Sequence, residues 1–254
     1  MDKFDLLGVG VSAITFDAAI QELMDAPASG RRLQVHFCSV HTLVEASADP
    51  TLRDALNRAE LVAPDGVPLV WLGRLRRQAM ERVCGPDLMP VLIDQSRVHG
   101  HSHYFYGGAE GVAERLAETF TERFPGLRIA GTYSPPFRPL TAEEDAAVVA
   151  RINEANPDYV WVGLGSPKQD HWVAEHRDRL NAAALLAVGA AFDFHGNGLR
   201  RAPVWMRRSG LEWLYRFGSE PRRLWRRYTV VNLRFMALLG RDAVRSLARR
   251  ARRR

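Results

Sequence analysis

Asp158-Tyr-Val-Trp-Val-Gly-Leu-Gly-Ser-Pro-Lys-Gln169 is the stretch that decides the fold. Its first half, Asp158–Gly163, is an apolar run of strand length, of the type buried on both faces. It breaks at a Gly165-Ser-Pro-Lys-Gln169 turn. The spacing then predicts a helix over Lys168–Leu180 and another strand over Ala184–Val188. A strand, a helix and a strand in that order form a βαβ unit, which implies a parallel sheet.

The same rhythm extends towards the N-terminus. Strands are expected at Leu33–Cys38, Leu61–Ala63, His103–Tyr106 and Leu127–Ala130. Helices are expected at His41–Ala48, Pro50–Arg58, Val67–Arg77, Pro86–Val98, Glu110–Phe124 and Glu143–Glu154, the last begun by a Thr141 capping box. The fold class is therefore α/β, with a doubly wound, mostly parallel sheet. Ligands of such sheets sit beyond the carboxyl ends of the strands. Five strand-end loops carry the search: Ser39-Val-His41, Pro64-Asp-Gly66, Gly107-Gly108, Gly165–Gln169 and Gly189–His195.

Past Arg200 the pattern turns wholly helical, dividing the chain into a body, 1–200, and a helical, arginine-rich appendage, 201–254. Residues 200–254 hold 17 arginines, no lysine and three acids, Glu212, Glu220 and Asp242. That is +14 in a chain of +6, leaving −8 on residues 1–199. Such asymmetry points to an anionic partner: a membrane surface, a diphosphate or nucleic acid. Aromatics interleave with the arginines in Arg201-Ala-Pro-Val-Trp-Met206, Leu211-Glu-Trp-Leu-Tyr-Arg216 and Glu220-Pro-Arg-Arg-Leu-Trp-Arg226. The run Tyr228–Gly240 is interrupted by Asn232 and Arg234 and falls short of the roughly 20 residues that span a bilayer. Met1-Asp-Lys-Phe-Asp5 does not read as a signal peptide, and Cys38 and Cys84 have neither disulfide nor metal-ligand spacing.

Among the loops, Pro64-Asp65-Gly66 reads as a turn on its own, or as a strand-end general base if a hydroxyl lies beside it. Gly107-Gly108 is a tight β–α turn or a backbone approach for phosphate. Lys168 opposes the helix dipole at a helix start, which favours a phosphate contact, with Gln169 placed to bond a sugar or base. Asp193 either contacts ligand or binds neighbouring amides, and His195 is a satisfied polar residue. His99, His101 and His103 lack a completing Cys or acid and are taken as a solvated loop entering a strand. No cofactor is expected. No Asp-x-Asp occurs, so a sugar-nucleotide enzyme of this sequence would lack the usual carboxylate clamp for Mg²⁺ or Mn²⁺, and arginine is the candidate to neutralise a leaving diphosphate.

Taken together, the segments resemble the WecG/TagA/CpsF family of bacterial glycosyltransferases. The resemblance runs from about Phe37 to Arg227. It is carried by Val40-His41-Thr42, Ala59-Glu-Leu-Val-Ala-Pro-Asp-Gly66, Glu81-Arg-Val-Cys-Gly-Pro-Asp-Leu88, Phe105-Tyr-Gly-Gly108, Pro125-Gly-Leu127, Val162-Gly-Leu-Gly-Ser-Pro-Lys-Gln169, Arg201-Ala-Pro203, Gly210-Leu-Glu-Trp-Leu-Tyr-Arg216 and Glu220-Pro-x-Arg-x-x-Arg226. It implies a Rossmann-like transferase, cytoplasmic and peripheral on the inner membrane face. Such an enzyme moves a sugar from a UDP-sugar to a polyprenyl-diphosphate-linked saccharide, with inversion and without metal. By that resemblance Asp65 is the base. By the same resemblance Gln169 is a substrate-site position and Arg82 a position near the phosphates; Ser39, Thr42, Gly66, Gly107, Gly108, Lys168 and Asp193 are the further substrate-binding candidates. Arg216, Arg223 and Arg226 close the site over the diphosphate. Ser39 stands where many members carry Asn, Phe37 where they often carry Thr, and Asp170 where Glu is commoner. An oligomer is compatible with the sequence. Composition alone leaves one alternative, a nucleic-acid-binding protein with a basic tail, which accounts for a pI near 9.8 but not for the glycine-rich strand ends. The missing dinucleotide fingerprint argues against a nicotinamide enzyme.

Overall fold

The computed structural model describes residues 2–199, 201–219 and 221–251. Within its last helices several side chains, those of Arg216, Arg223 and Arg226 among them, lie outside that description.

The chain opens with a hairpin that the sequence reading did not anticipate. Strands β1 (Lys3–Leu6) and β2 (Val9–Ser12) pair antiparallel across Leu7-Gly8. Both turn residues have positive φ, 57° and 85°, the backbone that matches the twist of two-residue hairpins. The hairpin docks on the main sheet, where the Val62 amide donates to Ser12 Oγ at 3.0 Å. Helix α1 (Phe16–Ser29) follows, capped by Thr15 and ended by left-handed Gly30.

The body then alternates: β3 (Leu33–Cys38), α2 (Val40–Ala48), α3 (Pro50–Arg58), β4 (Leu61–Pro64), α4 (Val67–Leu75), α5 (Gly85–Arg97), β5 (Ser102–Gly107), α6 (Val112–Arg123), β6 (Arg128–Tyr133), α7 (Ala142–Ala155), β7 (Tyr159–Gly163), α8 (Lys168–His176) and β8 (Ala184–Ala187). Four helices close the chain: α9 (Ala191–Gly196), α10 (Val204–Arg208), α11 (Glu212–Ser219) and α12 (Pro221–Ala251). The six main strands form one parallel sheet in the order β4-β3-β8-β7-β5-β6.

Strand alternation sends side chains into separate cores. On β7, Tyr159 and Trp161 enter a core shared with α1, α5, α6 and α9. Val160 and Val162 face the opposite side, against α7 and α8. A further core on that second side joins the hairpin, α2, α3, α4 and α12. Burial on both faces explains why the strands read as unbroken apolar runs, and the doubly wound α/β reading holds.

Several boundaries differ from expectation. Helix α6 starts at Val112 because Gly111 has φ 75°, outside the helical region. The loop Gly189–His195 contains α9, and the helix after Gln169 ends at His176 rather than Leu180. His103 is no solvated loop residue. It is fully buried, accepts from Trp161 Nε1 at 3.0 Å and lies 3.0 Å from Ser96 Oγ. Burial, with His101 nearby, lowers its pKa to about 3, so it is neutral. The C-terminal helices are continuous with the body: Phe235 of α12 is 5% exposed and sits in the core that holds Phe4, Leu6, Val9 and Val11.

Candidate active site

The carboxyl ends of the parallel strands open into one cleft of about 1180 Å³. Its walls include Ser39, Thr42, Asp65, Gly66, Arg82, Gly108, Lys168, Gln169 and Asp193, so nine of the expected residues meet there.

Asp65 stands just past β4. Its backbone N–H donates to the Cys38 carbonyl of β3 at 2.9 Å, and its side chain is 28% exposed. Arg82 reaches it from the segment before α5: Nε donates to the Asp65 carbonyl at 3.3 Å, and Nη2 lies 3.7 Å from Oδ1. The same Nη2 donates to Glu212 Oε2 at 2.8 Å. Arg201 continues the chain of charges, with Nη2 3.4 Å from Glu212 Oε1 and Nη1 2.6 Å from Asp87 Oδ1. Arg207 Nη1 donates to the same Asp87 oxygen at 2.9 Å. Three arginines and three carboxylates thus alternate, and all of them but Asp87 line the cleft. Burial opposes the Arg82 charge, and the neighbouring carboxylates Asp65 and Glu212 outweigh it and hold the guanidinium charged. Burial likewise pushes the Asp87 carboxyl up, but bonds from Arg201 and from the Cys84 thiol outweigh this and hold it low.

Ser39 and Thr42 form a capping box at the start of α2. Ser39 Oγ accepts from the Thr42 amide at 3.4 Å, and Thr42 Oγ1 from the Ser39 amide at 3.2 Å. Both therefore shape the loop as well as line it. Gln169 is committed to the framework: Nε2 donates to the Ala187 carbonyl at 2.8 Å, and Oε1 accepts from the Gly165 amide at 3.1 Å. It clamps the ends of β7 and β8 beside Lys168. Beneath it, buried Asp170 accepts from Ser166 Oγ at 2.7 Å and lies 2.7 Å from His36 Nδ1, tying β3 to the Lys168 loop.

Gly107 falls outside the cleft wall. A Cβ there would lie 2.6 Å from the Gly163 carbonyl group, so this glycine serves the packing of β5 on β7. Asp193 is exposed on the wall, its Oδ1 accepting from Asn197 at 3.3 Å. His195 lies 2.9 Å from the Pro86 carbonyl, as a satisfied polar residue would. Arg216, Arg223 and Arg226 lie on α11 and α12, and their side chains are outside the described residues. Among the described residues no three His, Cys, Asp or Glu side chains gather as a metal-ligand set.

Sequence reasoning missed the Asp87–Arg201–Glu212 connection. A signal was present: Glu212 is one of three acids among 17 arginines, and an acid retained there has a cation to meet.

The model of the glycosyl transferase WecG/TagA/CpsF family matches residues 4–249. The chain belongs to this family. Similar proteins include the N-acetylglucosaminyldiphosphoundecaprenol N-acetyl-beta-D-mannosaminyltransferase of Bacillus spizizenii, 32% identical over 72% of this chain and 69% of that protein. The Staphylococcus aureus protein of the same name is 25% identical over 84% of each chain. This WecG/TagA/CpsF member is thus a hexosyltransferase, and the nucleic-acid-binding alternative falls away. The match spans the hairpin and α12 as well as the sheet, so the family unit includes the helices that carry Glu212 and Phe235.

Proposed function

We propose that the chain transfers a sugar from a UDP-sugar to a saccharide linked to polyprenyl diphosphate, with inversion and with Asp65 as the general base. The observation that carries this reading is the placement of Asp65. It is a partly exposed carboxylate at a strand end, inside the cleft, with a held cation beside it. The relatives' names supply the acceptor class, a diphosphoundecaprenol-linked sugar.

In this mechanism Asp65 takes the proton from the acceptor hydroxyl as that oxygen bonds to the anomeric carbon. The bond from that carbon to the UDP oxygen breaks on the opposite face, and UDP leaves with the electron pair. Arg82 and Lys168 stabilise the charge that develops on the diphosphate, joined by Arg216, Arg223 and Arg226 from the last helices. Arg82 serves this role by exchanging Glu212 for phosphate oxygens. The helices after residue 200 complete the site and hold the protein on the inner membrane face, where cationic residues gain about 1 kcal/mol each near anionic lipid. No described helix is long and apolar enough to cross a membrane.

The test is UDP release by the full chain, with a panel of UDP-sugars, a short-chain polyprenyl-diphosphate saccharide, and EDTA present or absent. Acceptor-dependent release that survives EDTA, and that falls roughly 100-fold or more in Asp65→Asn, is expected. Full activity in a folded Asp65→Asn protein removes the base assignment, and loss of release in EDTA removes the arginine-for-metal account.

A further inference from the structure

Helix α4 reads Val-Pro-Leu-Val-Trp-Leu-Gly-Arg-Leu, apolar nearly all round. One side is accounted for: Leu69 and Val70 lie in the core with Phe235, while Val67 and Pro68 line the cleft. The other side is not. Trp71 is 59% and Leu75 80% exposed, and their four-residue spacing puts them on one face. A helix apolar all round is normally covered on every side.

Helix α12, which packs on α2 and α11, repeats the pattern. Val231, Phe235 and Leu238 face inward, packed on the same core as α4. Val230, Leu233 and Met236 face outward, with Arg234 exposed between them. Val231 and Asn232 of α12, Trp213 of α11 and Val67 of α4 all line the cleft, and a Cβ on Gly210 would lie 3.0 Å from Val67. The three helices therefore form one lip of the cleft, and each presents large apolar side chains on its outer surface.

We propose that α4 is the second limb of a lipid-binding surface. Trp71 and Leu75 enter the interface of an anionic bilayer together with the outer stripe of α12, and the lip of the cleft rests against lipid. The proposal rests on the membrane reading above and goes beyond it, because α4 lies in the acidic body, far before the arginine-rich helices in the chain. Two observations select lipid over a protein partner. The apolar residues of α12 are interspersed with cations in a segment of net +14, the composition of helices that lie in an anionic interface. Trp71, 59% exposed, is of the residue type that membrane–water interfaces favour, an apolar ring with one polar edge. A lipid-borne acceptor would reach the cleft across this lip without leaving the bilayer surface.

The test labels Leu75→Cys in the full chain with an environment-sensitive nitrobenzoxadiazole fluorophore. Cys38 and Cys84 are buried and do not compete. Val98→Cys is the control, since Val98 is exposed at the end of α5, by the amino-terminal edge of the sheet and away from the cleft. Vesicles of phosphatidylcholine with phosphatidylglycerol should blue-shift and brighten the probe at 75 and leave that at 98 unchanged. The double variant Trp71→Gln, Leu75→Gln should partition about tenfold or more less strongly onto these vesicles, with an unchanged urea midpoint. Co-sedimentation with a water-like probe at 75 overturns the role of α4 and leaves the membrane reading standing. Absence of co-sedimentation overturns both. A concentration-dependent blue shift without vesicles assigns the face to a second copy and overturns the proposal.

Discussion

Arg82 is shared between two carboxylates, Glu212 and the proposed base Asp65. Glu212 draws the guanidinium to 2.8 Å, while Asp65 stays 3.7 Å away. Glu212→Gln removes the competitor, so Arg82 moves onto Asp65 and lowers its proton affinity. The expected result is a lower kcat, with the acidic limb of the pH–rate profile moved to lower pH; a profile that keeps its limb contradicts the account. His103 gives a stability prediction. Its folded pKa, about 3, lies below its ordinary 6.5, so the unfolded chain binds the extra proton between those values. Stability therefore falls as pH drops from about 6.5 towards about 3, and urea midpoints for His103→Gln should show a shallower slope in that window. At this scale the sequence revealed positions better than partners. Asp65, Ser39 and Lys168 could be found because each follows an apolar run. The Arg82–Glu212 contact could not, because 130 residues separate its members and no local pattern joins them. Gln169 lines the cleft, and the bonds that commit its amide to Ala187 and Gly165 come from tertiary contact alone.

Elements are fixed by what sits between them. A Cβ at Gly107 of β5 would run into the Gly163 backbone of β7, one at Gly163 would run into the Phe192 ring, and φ at Gly107 is 131°. Gly107→Ala should cost about 2 kcal/mol or more of stability, measured by urea denaturation. The segment before and within α10 is held by Asp87, which Arg201 and Arg207 both grip. Because the Asp87 carboxyl is held below the usual range, its contribution is present at neutral pH and is lost as pH falls through that depressed value. Asp87→Asn should mimic acid at pH 7, with tryptic cleavage in 201–212 roughly tenfold faster; unchanged cleavage would mean that the segment is held elsewhere. The parallel sheet was legible because its strands are apolar on both faces and its helices are amphipathic. The hairpin was not: each strand has four residues, and Leu7 occupies a left-handed turn position more often filled by Asn, Asp or Gly. Helix α9 was hidden by its six-residue length.

For the whole molecule, charge is separated along the sequence, −8 before residue 200 and +14 after, while packing joins the two parts. Binding to anionic vesicles should weaken as salt rises and the screening length shrinks, from about 10 Å at 0.1 M to about 3 Å at 1 M. An apolar remainder should persist if Trp71 and Leu75 are engaged. The domain division expected at residue 200 follows composition, which reports solvation and not contact, and Phe235 crosses it. That crossing has a consequence for how the protein is made. The core containing Phe4 and Leu6 also needs Phe235, so it stays open while the intervening 228 residues are translated. α12 has to emerge from the ribosome before the hairpin, α2 and α4 gain it as a neighbour. Until then the nascent polypeptide leaves the apolar side chains that Phe235 will cover open to water.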